Sequence, residues 1–241
     1  MTRLFQKAKI SIAASAGPER IDPLLGNEAG IDKVTRKEHL QRYEDASTKT
    51  HNSIVLDLGC GTGYGSGLLY KHQNTVYALD ISLDALSYAK QHYPGPEYIQ
   101  GSAERLPFDH NRFNAITCFE VIEHVNNPHS VLSEIRRILR PNGDLFISTP
   151  NPRHLGNVLN HIIRGKPYSA KANEDNPYHI KEFYYEEFMH LLRNMGFTIR
   201  SKYGQTIPEI PSFQGLLPDA GRFLPKYARI LVVHCIKEDI L

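Results

Sequence analysis

The stretch IVLDLGCGTGYG, residues 54–65, constrains the fold of this chain more than any other part of it. A short apolar run ends at Asp57 and passes directly into a glycine-rich segment. Its four glycines are Gly59, Gly61, Gly63 and Gly65. An apolar run followed by glycines predicts a buried parallel strand that turns sharply into a helix. Glycine permits positive φ and a close ligand approach, and the helix from about Tyr64 directs unpaired amides toward the turn. The turn is therefore expected to bind a small polar ligand.

The glycine spacing distinguishes between nucleotide ligands. A dinucleotide fingerprint requires G-x-G-x-x-G, and none of the four glycines begins such a pattern, so an NAD dehydrogenase is disfavoured. Asp57 stands two residues before the first glycine, where a carboxylate can receive an ammonium group. The pattern D-x-G-x-G-x-G resembles motif I of class I S-adenosylmethionine (SAM) methyltransferases. The resemblance implies that SAM is the cofactor and that Gly59, Cys60, Gly61 and Gly63 bind it; another nucleotide or a degenerate site is the alternative.

A second acid follows at the distance that a ribose-binding carboxylate requires. Thr75–Leu79 is predicted to be a buried strand that ends at Asp80, about 20 residues after Gly59. A carboxylate accepts two hydrogen bonds from a cis diol better than a neutral side chain does. The alternative is that Asp80 caps the next helix, although Ser82 can do so instead.

The third strand of the pattern, Tyr98–Gln100, is followed by a segment that resembles the adenine-contacting part of the methyltransferases. In that family an Asp at this position commonly contacts the exocyclic amine of adenine. Ser102 stands at the position in this chain. The resemblance also assigns Ile81, Ala103 and Phe119 to the cofactor pocket.

Strands and helices alternate through the rest of the chain, which predicts an α/β fold with helices on both faces of the sheet. The resemblance implies a seven-stranded Rossmann-like methyltransferase sheet, mostly parallel, with the last strand antiparallel between the fifth and the sixth. Ligands bind at the carboxyl edge of such sheets. The polar residues expected at that edge are Asp57, Asp80, Ser102, Glu120 and Asn151.

The domain organisation is expected to be simple. Residues 1–30 are predicted to be a flexible leader rather than an export signal, and residues 31–241 a methyltransferase domain. Insertions at about 152–180 and 207–227 are rich in turn residues, and we expect an α-rich cap from the first and a wall of the acceptor pocket from the second. A helix from Ile31 to about Lys49 carries three residues that either reach the cofactor or the acceptor or lie on a surface helix: His39, Arg42 and Tyr43.

Composition limits the partners and the compartment. With 241 residues, a net charge of +2 and no strong charge asymmetry, the chain shows no field that favours nucleic acid or a membrane surface. No apolar run approaches the ~20 residues of a membrane span. The three cysteines are scattered, which indicates reduced thiols in a cytoplasmic protein, and Cys60 is interpreted as a small filler of the glycine turn.

Candidate catalytic residues follow the fourth predicted strand, Phe113–Phe119. Transfer of the SAM methyl group to a hydroxyl needs positioning and removal of the acceptor proton. Glu120 and His124 stand where the base is expected, and the pKa of histidine suits that role. A structural role for His124 is the alternative.

A metal site is a second possibility for the same segment. Glu120, Glu123 and His124 stand at i, i+3 and i+4, so a helical turn would bring them to one side. The pattern E-x-x-E-H with a distant histidine, His179, is similar to the metal site of small-RNA 3′-terminal 2′-O-methyltransferases. Ubiquinone-biosynthesis O-methyltransferases show a similar E-x-x-E-H, and many relatives are not known to use metal. No metal is therefore the main expectation.

Three further segments, CFEVIEHV, ILRPNGDLFISTPNP and NPYHIKEFYYEEF, resemble the type-11-like branch of these methyltransferases, closest to bacterial enzymes that act on glycans, glycolipids or secondary products. The resemblance implies O-methylation of a small molecule or a sugar acceptor. A metal-dependent RNA 3′-end 2′-O-methyltransferase and a SAM-binding protein without catalysis are the alternatives. The sequence does not identify the acceptor, the atom that is methylated or the oligomeric state.

Overall fold

In the computed structural model, residues 21–24, 33–154, 180–205 and 224–238 are described. Within these residues, seven strands form one sheet in the order β3-β2-β1-β4-β5-β7-β6. The strands are β1 (Ile54–Leu58), β2 (Thr75–Asp80), β3 (Glu97–Gln100), β4 (Phe113–Phe119), β5 (Leu139–Pro150), β6 (Phe197–Gln205) and β7 (Ile230–Lys237). The helices are α1 (Lys33–Ser47), α2 (Tyr64–Lys71), α3 (Leu83–His92), α4 (Pro128–Ile138) and α5 (Tyr185–Asn194). The predicted α/β class and strand order are confirmed.

The chain divides into two compact units, Met1–Pro107 and Phe108–Leu241. In the first unit, β2 pairs in parallel with both β1 and β3. The strands are apolar because they are buried: Val55, Leu56 and Leu79 are almost fully inaccessible to water. Since the strands run in one direction, the segments that follow them lie at one edge of the sheet.

The second unit contains the antiparallel part of the sheet. β4 and β5 are parallel, whereas β7 is antiparallel to both β5 and β6 and lies between them. The four apolar residues of α4 at helical spacing are fully buried: Val131, Leu132, Ile135 and Ile138. Asn127 begins this helix, because its side chain accepts hydrogen bonds from the amides of His129 and Ser130.

β5 is longer than its sequence pattern suggests. It begins at Leu139, although Pro141, Asn142 and Gly143 are residues typical of a turn before a strand. A register shift opposite Phe113 and Ala115 accommodates the extra residues, so the Arg140–Asp144 segment bulges within the strand. Sequence patterns do not show such bulges because the turn residues in them mimic a strand break.

Of the predicted leader, residues 21–24 are described, and they are packed rather than free. Asp22 is buried, and its carboxylate accepts hydrogen bonds from the Tyr88 and Tyr93 hydroxyls. These hydrogen bonds hold residues 21–24 against α3, and the flexible leader stays a prediction for residues 1–30 as a whole. The rest of residues 1–30 and most of the two predicted insertions lie outside the described residues, and those expectations stay predictions. Among the described helices, none is both long and apolar enough to cross a membrane.

Candidate active site

The glycine turn after β1 has the backbone conformation that its sequence predicted. Gly59, Gly61 and Gly63 have φ of 74°, 53° and 81°, in the region that L residues rarely adopt. The turn is fixed by hydrogen bonds from the Gly59 amide to the Leu79 carbonyl (2.7 Å) and from the Gly63 amide to the Cys60 carbonyl (2.9 Å). A Cβ placed on Gly61 would meet nothing within 4 Å. The backbone is thus open to a ligand at Gly61.

Asp80 ends β2 and is joined directly to this turn. Its Oδ2 atom accepts a hydrogen bond from the Gly61 amide at 2.9 Å, and its Oδ1 atom accepts one from the Ser82 amide at 2.9 Å. A carboxylate oxygen can accept more than one hydrogen bond, so these contacts are compatible with donation from ribose hydroxyls. The helix cap comes from Ser82, whose Oγ accepts from the Ala85 amide at 3.3 Å. A ribose-binding role for Asp80 therefore stays the better interpretation.

Three other residues with predicted cofactor contacts, Ile81, Ser102 and Ala103, are accessible to solvent. Ile81 is 69% exposed although its side chain is large and apolar. Ser102 is also exposed, with its Oγ accepting from the Glu104 amide at 3.3 Å, and Ala103 is partly exposed. These three residues leave apolar and hydroxyl groups accessible beside β2 and β3. Their predicted contacts with the cofactor stay predictions.

Asp57 occupies a different environment from the one that the sequence predicted. It is fully buried, and its two oxygens accept hydrogen bonds from the Tyr43 hydroxyl (2.9 Å) and the Ser66 hydroxyl (2.6 Å). Burial and the Asp57 charge both raise the pKa of Tyr43, so the phenol keeps its proton and donates it. The predicted contact of Asp57 with an ammonium group stays a prediction. The hydrogen bonds show that Asp57 also joins α1, β1 and α2.

The structure also defines the surroundings of Cys60 and of three residues of α1. The Cys60 thiol packs with Ala78, Leu86 and Tyr98, so the filler interpretation is confirmed and its side chain belongs to the core. On α1, Arg42 is 2% exposed and Tyr43 is 5% exposed, so a surface location is wrong for both. His39 is partly buried, with its Nδ1 atom 2.9 Å from the Tyr64 hydroxyl at the start of α2.

In the second unit, Glu120 follows β4 in an unusual backbone conformation. Its φ is 54°, and its amide donates to the Ser148 carbonyl at 3.2 Å. The other described non-glycine residues with positive φ are Asn52, Gln73, Asn111 and Asn142. Asparagine adopts positive φ at a low energetic cost, whereas for glutamate this backbone conformation is strained. Strain of this kind is often kept at functional sites, which is consistent with the predicted role of Glu120.

The segment after Glu120 does not form the single helical turn that the alternative metal site would need. A 3₁₀ turn begins only at Ile122, and Glu123 is fully buried, with its carbonyl accepting from the amides of Ile180 (2.9 Å) and Lys181 (3.1 Å). Because Glu120 lies before this turn at positive φ, the i, i+3, i+4 spacing does not bring its side chain together with those of Glu123 and His124. Within the described part of the chain, no three His, Cys, Asp or Glu residues are grouped to hold a metal. His179 lies outside the described residues.

Phe119 and His124 complete the segment around the end of β4. Phe119 is the last residue of β4 and is buried, whereas His124 is partly exposed and its amide donates to the Val121 carbonyl at 3.0 Å. Their predicted roles, in the cofactor pocket and as the base, stay predictions.

Two features of the residues after β5 are not apparent from the sequence. They are the hydrogen bonds of Asn151 and the shifted pKa of His154. Asn151 is 1% exposed, and its Nδ2 donates to the carbonyls of Lys226 (3.0 Å) and Ala228 (2.9 Å), so it anchors the lead-in to β7. His154 is partly buried, and its pKa is lowered by burial and by the Arg229 charge, against the opposing effect of Glu182. No motif in the sequence marks His154.

Comparison with known proteins agrees with the fold and the glycine turn. A family model described as a methyltransferase domain matches residues 56–147, from β1 into β5. Residues 56–147 are therefore similar to a methyltransferase domain, and they lie within a seven-stranded sheet that contains the glycine turn. SAM is the cofactor that this similarity and the SAM-dependent relatives imply.

The similar proteins that were found are named as methyltransferases. A probable S-adenosylmethionine-dependent methyltransferase of Mycolicibacterium smegmatis is 28% identical over 168 residues, 70% of this chain and 61% of that protein. A ubiquinone biosynthesis O-methyltransferase of Glaesserella parasuis is 35% identical over 60% of this chain and 64% of its own. The crystal structure of a putative methyltransferase from Bacillus halodurans has a TM-score of 0.60 at 20% identity, over 84% of this chain and all of the other. The chain spans about three fifths of the length of the curated relatives it matches.

Proposed function

We propose that this protein transfers the methyl group of SAM to a hydroxyl of a small molecule or a sugar. The observation that carries the donor half is the link between Asp80 and the turn: one carboxylate oxygen holds the Gly61 amide at 2.9 Å, and the space beside Gly61 is open. This arrangement suits a ligand with a ribose diol and a polar tail near the loop. An in-line displacement at the sulfonium methyl then needs little from the protein beyond alignment of the acceptor.

The acceptor half of the proposal rests on Glu120 and His124, which follow β4 in the second unit. We assign His124 as the base that takes the hydroxyl proton as the oxygen–methyl bond forms and the sulfonium–methyl bond breaks. A partly exposed imidazole can pass that proton on to water. Glu120, held in a strained conformation, would orient the hydroxyl or the imidazole.

Oxygen is the favoured target because an O-methyltransferase of ubiquinone biosynthesis is 35% identical to this chain. A glycan or another small molecule fits the same chemistry. The metal-dependent RNA enzyme stays an alternative, because His179, one of the four residues of its metal site, lies outside the described residues. No observation favours a SAM-binding protein without catalysis. The three cysteines are free and buried, which agrees with the cytoplasmic location that we propose.

The donor half is tested by titration calorimetry with SAM and with NAD. We expect binding of SAM alone, and we expect Asp80→Asn to weaken it about tenfold or more, because a charge-assisted hydrogen bond to the ribose is lost. Tyr70→Phe changes an exposed side chain on α2 and serves as the control. Binding of NAD but not SAM would refute the proposal.

The acceptor half is tested with methyl-labelled SAM, first in cell extract and then with purified phenols, saccharides and RNA as acceptors. We expect label in a small molecule or a saccharide, resistance to a chelator, and loss of transfer in His124→Gln and Glu120→Gln with SAM binding retained. Label in RNA that a chelator abolishes would support the alternative enzyme. Donor binding without transfer to any acceptor would support the non-catalytic alternative.

A further inference from the structure

The described piece of the N-terminal segment, Ile21–Leu24, lies directly on the glycine turn. The Thr62 hydroxyl donates a hydrogen bond to the Ile21 carbonyl at 2.8 Å across 41 positions of sequence. Thr62 stands between Gly61 and Gly63 and is only 4% exposed, so the bond is sheltered from water. The segment is therefore joined to the loop on which the donor site depends.

The next residue joins the segment to a second element. Asp22 is 5% exposed, and the Tyr93 hydroxyl lies 2.7 Å from both of its oxygens. The Tyr88 hydroxyl donates to Oδ2 at 3.1 Å, and the Leu24 amide donates to Oδ1 at 3.0 Å. Tyr88 lies on α3 and Tyr93 ends it, and α3 is the helix that follows Asp80. Ile21–Leu24 thus spans from the turn after β1 to the helix after β2, the two elements that flank the donor site.

The anchor has the properties of a specific attachment rather than an incidental contact. A buried carboxylate is costly unless several donors satisfy it, and Asp22 has three. Burial and the Asp22 charge raise the pKa of both tyrosines, so each hydroxyl stays protonated and able to donate. Tyr98 also stabilises the arrangement, because its hydroxyl donates a hydrogen bond to the Tyr93 carbonyl at 2.8 Å.

We propose that Ile21–Leu24 forms a wall of the donor pocket and that Asp22 and Thr62 are positioning residues that hold this wall closed over bound SAM. The inference rests on the proposed donor site at the glycine turn. If the donor leaves only when the wall opens, weakening either attachment speeds its release. A purely structural N-terminal contact would change stability and leave the release rate of the folded protein unchanged.

The test measures the SAM dissociation rate by stopped flow for Asp22→Asn and Thr62→Val. Thr62→Ser keeps the hydroxyl and is the matched control for Thr62→Val. We expect the rate to rise about fivefold for Thr62→Val, about tenfold or more for Asp22→Asn, and to stay near the wild-type value for Thr62→Ser. Tyr93→Phe removes one donor to Asp22 and keeps the ring. Its SAM dissociation rate is expected to lie between those of Thr62→Val and Asp22→Asn.

Hydrogen exchange supplies an independent readout in the wild-type protein and in the Asp22→Asn variant. SAM should slow exchange of the amides in residues 21–24, and Asp22→Asn should remove that protection at saturating donor. Unchanged release rates in all variants together with unchanged exchange would overturn the wall while leaving the donor site intact. If the wild-type protein binds no SAM, the proposed function itself fails, so the two failures are distinguishable.

Discussion

The ring of Tyr43 occupies the space that a side chain on Gly65 would need. A Cβ built on Gly65 would lie 2.0 Å from Cζ of Tyr43 and 2.2 Å from its Cε1. The last glycine of the motif, unlike Gly59, Gly61 and Gly63, is therefore required for helix packing and not for positive φ. It allows α1 to approach α2 closely enough for Tyr43 to reach Asp57.

Gly65→Ala should destabilise the protein by about 1–3 kcal/mol, because the added methyl group overpacks a buried contact. In a Tyr43→Ala background the clash is absent, and alanine is the better helix former by about 0.5–1 kcal/mol. The same substitution should then be neutral or stabilising. Urea unfolding of the four proteins of this double-mutant cycle measures the coupling. Equal costs in both backgrounds would contradict the packing role.

Asp57→Asn separates a structural role from a direct contact with the donor. Tyr43 and Ser66 donate to different oxygens of Asp57, and in the amide one of these two positions becomes an NH2 group, so one hydroxyl loses its acceptor in this geometry. We expect a loss of about 1–3 kcal/mol in the free energy of unfolding, greater than for Tyr43→Phe or Ser66→Ala, which each remove one donor. Unfolding and SAM titration are measured on the same preparations.

The opposite pattern would restore the role that the sequence suggested. If Asp57→Asn were as stable as the wild type and yet lost SAM binding, Asp57 would contact the donor directly. Weaker binding that tracks the stability loss, and that Tyr43→Phe reproduces in part, supports the structural role.

The elements that sequence reasoning predicted well are those whose signal is local. Each of these features can be recognised from a few consecutive residues: the apolar runs of β1 and β2, the glycines between them and the acid at the end of β2. The hydrogen-bond partners of Asp57 cannot be recognised in this way. Tyr43 lies 14 positions before Asp57 and Ser66 lies 9 positions after it, and a hydroxyl group has no distinctive sequence spacing. Such contacts depend on how elements pack, which periodicity does not specify.

Helix α1 shows a further limit of the sequence pattern. Its apolar residue Val34 is 42% exposed, whereas Glu38 and Arg42 are 4% and 2% exposed. Apolar spacing therefore does not predict which residues of α1 are buried, because two charged residues are buried and an apolar residue is exposed. The strained backbone of Glu120 and the tie of Asn151 to the residues before β7 were equally hidden, because both are set by tertiary structure.

Glu120→Gly should stabilise the protein while it abolishes transfer. Glycine adopts a φ of 54° without the steric cost that glutamate has there, so we expect a gain of up to about 1 kcal/mol after the greater chain entropy of glycine is counted. Glu120→Gln keeps the strain and removes only the charge, so its stability should match that of the wild type. Thermal unfolding and methyl transfer are measured in parallel. A less stable Glu120→Gly protein would show that the Glu120 side chain contributes more to folding than its backbone strain costs.

His154 should make stability depend on pH below its ordinary pKa of 6.5. Burial and the Arg229 charge lower its folded-state pKa, so between that lowered value and 6.5 the unfolded chain binds a proton that the folded protein does not. The free energy of unfolding should therefore fall as pH falls through this window, and the His154 contribution should level off once the folded form is protonated as well. His154→Gln removes the titrating group and should show a shallower decline than the wild type. Urea unfolding at a series of pH values from about 7.5 to 5 measures both curves, and the difference between them isolates His154 from the other histidines. Parallel curves would mean that the imidazole titrates alike in both states and that its burial has no energetic consequence.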